Sequence, residues 1–261
     1  MPSVKDIISS LESYAPLALQ ESYDNAGLQI GDPAVDATAA LLCLDVTERT
    51  IDEAIKRGCN LVISHHPLLF GSVKNITTED ERGRTIIKAL KNNISIYSAH
   101  TNLDRARQGV SMEIAASLGL ENVKVLEPDN ADHSVGLGAI GDINPMPALE
   151  FLRKVKDIFG VKCLKYSASF HALIVKRIAV CGGAGASLIR KAVNEGADAI
   201  VTGDVKYHDF TTWGKRILIA DIGHFESELC TKKIFKHIIA ERFPEFSTYN
   251  SEEETNPINV L

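Results

Sequence analysis

The residues best equipped for chemistry in this sequence are imidazoles and carboxylates in three short stretches. Ser64-His65-His66-Pro67 closes the apolar run Leu61-Val62-Ile63, His100 stands four residues before Asp104, and His224 stands four before Glu228. Imidazole nitrogen and carboxylate oxygen without thiolate form a ligand set that suits Zn, Mn, Fe, Co or Ni. A strand buried on both faces delivers polar groups at its carboxyl end, where open α/β sheets place their sites. Neighbouring strand residues point to opposite faces. His65 and His66 can therefore grip one ion only if the backbone leaves strand geometry there; otherwise they serve two different ions. Pro67 marks such a departure, because proline restricts the residue before it and cannot extend a ladder. The working hypothesis is a metal site of two ions.

If a helix begins near Gly223, His224 and Glu228 share a face and can close on one ion. Glu226 lies off that face, in solvent or supporting the helix N-terminus. Asp104 follows the polar turn Thr101-Asn102, and a carboxylate there can bridge two cations. Such pairs sit roughly 3.5–4 Å apart and make a shared water nucleophilic at neutral pH. His100 is either a ligand or a donor that orients Asp104, with the orienting role favoured. Asp24 has equal claims to a plain turn and to the support of a ligand. Gly182-Gly183-Ala184-Gly185 lies between a strand and a helix, where backbone N–H groups can cradle an anion. It lacks the spacing of a dinucleotide fingerprint and the Lys of a P-loop, so a plain tight turn is the competing reading. Gly182, Gly183, Gly185 and Lys206 are the substrate-binding candidates on this basis. His208 is the candidate general acid or base, since an unperturbed imidazole titrates near neutrality, against a plain hydrogen bond within its loop. His100 is the second catalytic candidate. His133, His171 and His237 stand apart from every motif, and Trp213 reads as core or interface.

The elements that must position these groups follow from periodicity and punctuation. The first half reads as a helix over 4–14, a strand over 39–46, a helix over 48–57 and a strand over 60–64. A helix over 83–91, a strand over 94–98 and a helix over 110–118 follow. Thr47 caps the second of these helices and Gly58 ends it. Strand, helix, strand at this spacing is a βαβ unit and predicts a largely parallel sheet. The second half reads as a strand over 135–141, a helix over 148–159, strands over 162–167 and 177–181, and a helix over 187–194. Strands over 197–201 and 217–220 and a helix running to about Arg242 complete it. The polar segment from Glu127 to His133 divides the chain into lobes over 1–127 and 128–261. The halves resemble each other: 58–66 lies over 196–204 at an offset of 138, and His100-x-x-x-Asp104 over His224-x-x-x-Glu228 at an offset of 124. The economical reading is an internal duplication into two similar α/β lobes with mostly parallel sheets, and a dinuclear site where their strand ends meet.

The bulk composition bounds the function. A chain of 261 residues with 45% hydrophobic and 24% charged residues is an ordinary globular protein. A net charge of −6, without a Lys/Arg patch larger than a helical face, disfavours nucleic acid as a partner. No apolar run approaches the ~20 residues of a membrane span, and Met1-Pro2-Ser3-Val4-Lys5 is no signal peptide, so a cytoplasmic location is expected. The five cysteines include no C-x-x-C pair and read as small buried hydrophobes in a reducing compartment.

With these residues in place, the sequence resembles a known family, the dinuclear-metal proteins called GTP cyclohydrolase I type 2 or NIF-three-like. The motifs that carry the resemblance span nearly the whole chain. They are Asp24-Asn25-Ala26-Gly27-Leu28-Gln29-Ile30-Gly31, Ser64-His65-His66-Pro67-Leu68-Leu69-Phe70 and Ala99-His100-Thr101-Asn102-Leu103-Asp104. They continue with Cys181-Gly182-Gly183-Ala184-Gly185, Thr202-Gly203-Asp204-Val205-Lys206-Tyr207-His208 and Gly223-His224-Phe225-Glu226-Ser227-Glu228. Tyr23 stands where many members carry Trp. The resemblance implies His65, His66, Asp104, His224 and Glu228 as ligands of two divalent metal ions per subunit, the five that spacing nominates. It also implies the short form without an inserted domain, and a ring-shaped homohexamer built as a ring of dimers. Two functions follow as expectations. One is a metal-dependent hydrolase of a nucleotide or related phosphorylated compound, in its specific form the opening of the guanine ring of GTP by water at C8. The other is a non-catalytic metal-binding scaffold whose ring binds another macromolecule.

Overall fold

The computed structural model describes residues 1–168 and 173–261, so His171 lies outside the described residues. The chain divides into two compact units, 1–106 with 231–255, and 107–230 with 256–261. Both are mixed α/β, each built on its own sheet.

Unit 1 begins with α1 (Val4–Tyr14), whose N-terminus is closed by a capping box between Ser3 and Asp6. Strands β1 (Gly27–Ile30), β2 (Ala40–Cys43), β3 (Leu61–Ser64) and β4 (Ser95–Ser98) follow. Helices α2 (Glu48–Arg57) and α3 (Glu81–Lys91) provide the crossovers. Thr47 caps α2, and Gly58, at a left-handed φ of 69°, ends it. The short helix α4 (Thr101–Asp104) follows β4. The sheet order is β1-β4-β3-β2-β11, where β11 (Thr248–Asn250) returns from the far end of the chain. Every pairing is parallel except that of β1 with β4. All residues of β2, β3 and β4 are buried, as expected for parallel strands covered on both faces. One face of the sheet packs Leu41, Val62 and Ile96 against Ile51, Ala54 and Ile86 of the crossover helices.

Unit 2 opens with α5 (Val110–Leu118), followed by β5 (Glu121–Pro128), β6 (Gly136–Pro147), α6 (Ala148–Ile158), β7 (Lys165–Tyr166) and β8 (Ile174–Val180). A 3-10 turn (Gly185–Leu188), α7 (Ile189–Asn194), β9 (Ala199–Thr202), α8 (Tyr207–Trp213), β10 (Leu218–Asp221) and α9 (His224–Glu228) complete it. The next helix, α10 (Cys230–Arg242), belongs almost wholly to unit 1. The sheet order is β5-β6-β8-β9-β10-β7. Among the described residues only β8-β9 and β9-β10 are parallel, so the parallel pairing expected of both lobes dominates unit 1 while unit 2 is mixed.

The division of the chain differs from the boundary expected at 127/128. Strand β5, which polar composition conceals, pairs antiparallel with β6 through Pro128 and Gly136, so a cut at 127/128 would split a hairpin. The C-terminal strand pairs in parallel with β2, which returns the tail to unit 1. Two expected helices are also interrupted: 187–194 begins as a 3-10 turn, and the long helix after Gly223 divides into α9 and α10. Among the described residues no helix is long and apolar enough to cross a membrane. All five cysteines are free thiols, and Cys163 is exposed rather than a buried hydrophobe.

Candidate metal centre

In unit 1 the chain leaves strand geometry directly after Ser64. The Ser64 hydroxyl donates to the carbonyl of His66 at 2.8 Å and meets the Ser98 hydroxyl at 2.7 Å, which curls the end of β3. The His65 and His66 amides donate back to the carbonyls of Cys43 (3.1 Å) and Leu44 (2.9 Å), so the turn is fixed to the end of β2. The two rings then lie 5.1 Å apart and tilted by 43°, rather than on opposite faces. The ring of His100, at the end of β4, lies 5.3 Å from that of His65 and 5.5 Å from that of His66. The three residues offer ligand atoms within 4.8 Å of one another, a grouping that can hold a metal ion. Asp104, at the end of α4, brings a carboxylate oxygen to 3.6 Å from His65 Nε2.

All three imidazoles are held in the same way. His65 Nδ1 lies 2.8 Å from the carbonyl of Ala99, His66 Nδ1 lies 2.9 Å from Asp45 Oδ1, and His100 Nδ1 lies 2.8 Å from Asp24 Oδ1. A carbonyl or carboxylate oxygen only accepts, so each Nδ1 carries a proton, and Nε2 is the nitrogen through which a neutral ring would ligate. Asp24 also accepts from the amide of Thr101 at 3.0 Å and from the Thr101 hydroxyl, and so fixes the first turn of the helix that carries Asp104. Burial alone would raise its pKa, but the hydrogen bonds from His100 and Thr101 outweigh burial and hold the carboxyl well below the usual carboxylate range. The expected role of His100 is thereby revised. Its ring joins the imidazole cluster with Asp24 as its own anchor, and Asp104 is approached instead by His65.

In unit 2 the chain crosses from β10 into α9 through Gly223, at a left-handed φ of 87° that glycine adopts without strain. His224 and Glu228 lie one turn apart on α9, with His224 Nε2 3.1 Å from Glu228 Oε2. His224 Nδ1 lies 2.8 Å from Asp204 Oδ2, the same anchoring seen three times in unit 1. Its hydrogen bond to Glu228 raises the pKa, burial opposes, and Asp204 adds to the rise, so the metal-free imidazole titrates at about 9. Glu226 points elsewhere and accepts from the Asn256 side chain at 2.9 Å.

The glycine turn has a use that its sequence did not show. Gly183 N–H donates to the Ser227 hydroxyl at 2.9 Å, and Gly185 N–H is taken by the Thr202 hydroxyl (2.9 Å) and the Gly183 carbonyl (3.1 Å). Those amides are therefore committed within the unit rather than presented to an anion. What the turn supplies is room: a Cβ at Gly183 would stand 2.2 Å from Glu228 Oε1, and one at Gly182 would stand 2.6 Å from Val110 Cγ1. Lys206 and His208 are exposed on and beside α8. The Lys206 amide donates to Asp209 at 3.1 Å, and the His208 carbonyl accepts from the Thr211 hydroxyl at 3.0 Å. His133 and His237 are exposed, the latter 3.2 Å from Glu241. Trp213 packs on the unit 2 core, with the guanidinium groups of Arg190 and Arg216 over its ring at 5.9 and 5.4 Å.

The donor chemistry fits a divalent transition metal. Four imidazoles have Nδ1 anchored on an oxygen, so that Nε2 is the nitrogen a metal would take, two carboxylates lie beside them, and a missing Cβ leaves space for one of those carboxylates. Sequence reasoning missed Asp45 and left the role of Asp204 unassigned. The available signal was position, since each carboxylate follows a buried strand at its carboxyl end.

The sequence profile of the family Duf34/NIF3 (NGG1p interacting factor 3) matches residues 2–257. A Clostridium perfringens protein described as a GTP cyclohydrolase 1 type 2 homolog is 39% identical over 229 residues, 86% of each chain. A Lactococcus lactis protein of the same description is 32% identical over 263 residues, 97% of this chain and 98% of its own. The crystal structure of a Bacillus cereus protein related to NIF3 superposes with a TM-score of 0.91 at 27% identity, covering 100% of this chain and 99% of that one.

Proposed function

Because the chain belongs to the Duf34/NIF3 family, we propose that it is a hydrolase dependent on two divalent metal ions, held by His65, His66, Asp104, His224 and Glu228. Its substrate in this reading is a nucleotide or related phosphorylated compound; the relatives' description suggests GTP, with water adding at C8 of the guanine. The observation that carries the reading is the common anchoring: four histidines set Nδ1 against an oxygen acceptor, which makes Nε2 the nitrogen that can face an ion. When bound, divalent cations supply the Lewis acidity that makes water a nucleophile at neutral pH. Ala99, Asp45, Asp24 and Asp204 retain the Nδ1 protons and fix the ring planes. His100 is the residue placed to exchange a proton with substrate, since its ring shares the cluster and its Nδ1 proton is anchored by Asp24. The proposal extends to a ring-shaped homohexamer and a cytoplasmic location.

A second reading, a metal-binding scaffold without turnover, is favoured by the glycine turn, whose Gly183 and Gly185 amides are already spent on internal partners. One experiment separates the two. Metal content is measured on protein purified without added metal, and the metal-loaded protein is then assayed with GTP and a panel of phosphoesters beside His65→Ala and Glu228→Ala. Turnover by the wild type that both variants lose, with oligomeric mass unchanged by light scattering, supports the hydrolase. A metal-loaded wild type inert across the panel supports the scaffold.

A further inference from the structure

The acidic tail looks in sequence like a solvated terminus, yet in unit 1 it runs along the strand that supports His66. β11 pairs in parallel with β2, from Thr248 opposite Ala40 to Asn250 opposite Leu42, and the Ser251 amide continues to the Leu42 carbonyl at 2.8 Å. Glu53 of α2 then clamps the next residues, accepting from the Ser251 hydroxyl at 2.7 Å and from the amides of Glu252 (3.1 Å) and Glu253 (3.3 Å). This directs Glu254 to the end of β2. One of its oxygens accepts from the amides of both Leu44 (2.5 Å) and Asp45 (2.9 Å). The other accepts from Lys232 Nζ at 2.9 Å, and the Glu254 side chain is only 3% exposed.

Leu44 and Asp45 are thus gripped from two sides. Their amides go to Glu254, while the Leu44 carbonyl accepts from the His66 amide and the Asp45 carboxylate accepts from His66 Nδ1. A carboxylate this buried, taking two backbone amides and an ammonium, is an expensive device for holding a disordered-looking tail. Without it the two amides lose their acceptor, and the segment that aims Asp45 at His66 loses its anchor.

We propose that residues 248–254 form a strap that positions His66 for metal through Glu254 and Asp45, so that tail docking and metal binding stabilise each other. Glu254 acts here as a positioning residue, three links from the ion: carboxylate to backbone amide, Asp45 carboxylate to imidazole, imidazole to metal. The coupling is reciprocal by thermodynamic necessity, because one rigid Leu44–Asp45 segment serves both events. The inference rests on the metal-binding reading above.

The test uses Co(II) as the probe and the full chain. In the wild type, hydrogen exchange of the 247–255 segment is measured with and without Co(II). Co(II) affinity and its visible ligand-field absorption are measured for the wild type, Glu254→Gln and Glu253→Gln, whose carboxylate pairs with the exposed Arg49. Losing a direct partner of a metal-bound histidine costs roughly 10–100-fold in affinity, so the more remote Glu254→Gln is expected to cost about 3–10-fold. An altered absorption spectrum accompanies that loss, Glu253→Gln matches the wild type, and Co(II) slows exchange of the tail by a similar factor. Exchange that is equal with and without Co(II) overturns the coupling, whether or not the variant folds. A Glu254→Gln protein with wild-type affinity and spectrum overturns the positioning role, even if it is less stable. A wild type that takes up no Co(II) sinks the metal reading itself, and the strap with it.

Discussion

After β4 and after β10 the chain makes the same move, a sharp turn into a short helix with a histidine at its start and a carboxylate four residues on. The two turns are held differently. His100 caps α4 from outside the helix, at a φ of −113°, and takes its carboxylate from Asp24, ahead of β1. His224 is the first residue of α9, made possible by the left-handed Gly223, and takes its carboxylate from Asp204, at the end of β9. The offset of 138 that aligns the halves in sequence lays Asp204 over His66. Where unit 1 has an imidazole in a grouping that could hold a metal, unit 2 has a carboxylate that orients an imidazole. Burial separates them too: the Asp24 side chain is fully buried and that of Asp204 is 48% exposed. The same interaction therefore has a large structural part in unit 1 and a small one in unit 2.

The largest test of that difference removes each carboxylate in turn. Asp24→Ala strands the Nδ1–H of His100 and the donors of Thr101 in a buried place and is expected to cost about 2–4 kcal/mol of stability. Asp204→Ala, half in solvent, is expected to cost only ~0.5 kcal/mol. Both are expected to weaken Co(II) binding by roughly 10-fold or more, since each frees a ring from its anchor. Urea midpoints beside Co(II) titrations check this, and equal stability losses would break the comparison.

Next in size is the space beside Glu228. Gly183→Ala places a methyl 2.2 Å from Glu228 Oε1 at a φ of +60°, and is expected to cost about 1–3 kcal/mol more than Gly71→Ala in unit 1. At Gly71 (φ +75°) nothing lies within 4 Å, so only the strain of the left-handed backbone remains, about 1 kcal/mol. Metal affinity falls for Gly183→Ala alone. A Gly183→Ala protein that binds Co(II) normally would show that Glu228 is not a ligand.

The smallest effect is in pH, and its sign differs between the units. The pKa of Asp24 is depressed, so its contribution is present above its ordinary value near 3.8 and is lost as pH falls below it. The pKa of His224 is raised to about 9 from 6.5, so its contribution is complete below 6.5 and is lost as pH rises to 9. With the ring a third exposed, screening leaves about 1 kcal/mol or less. Unfolding midpoints of metal-free protein across that range should fall, and the slope should flatten in Glu228→Gln. Co(II) affinity should climb over the same window, because the ion and the proton compete for Nε2.

Much of this was legible before any coordinates. Val4–Tyr14 follows from apolar periodicity and Glu48–Arg57 from Thr47 and Gly58 at its ends, because caps and periodicity are local. His65, His66, Asp104, His224 and Glu228 are visible as a set of imidazoles and carboxylates at or just beyond strand ends, because residue type and spacing are written in the sequence. Strand β5 was not legible: its residues are mostly exposed, so it carries no apolar pattern and exists only because β6 pairs with it. The glycine turn was legible as a turn but not in purpose, since a missing Cβ has meaning only beside the Glu228 carboxylate it leaves room for.

Sequence alone determined which residues have metal-donor chemistry and which buried strands precede them, because both are properties of side-chain type and short-range spacing; the short helices α4 and α9 that carry the acids came with the fold. The tertiary structure decided how each imidazole is used. The partner of each of these four Nδ1 atoms comes from a distant strand end or loop: Ala99 lies 34 residues from His65, Asp45 lies 21 from His66, Asp24 lies 76 from His100, and Asp204 lies 20 from His224. A hydrogen bond acts over about 3 Å, and only the folded chain brings such residues that close.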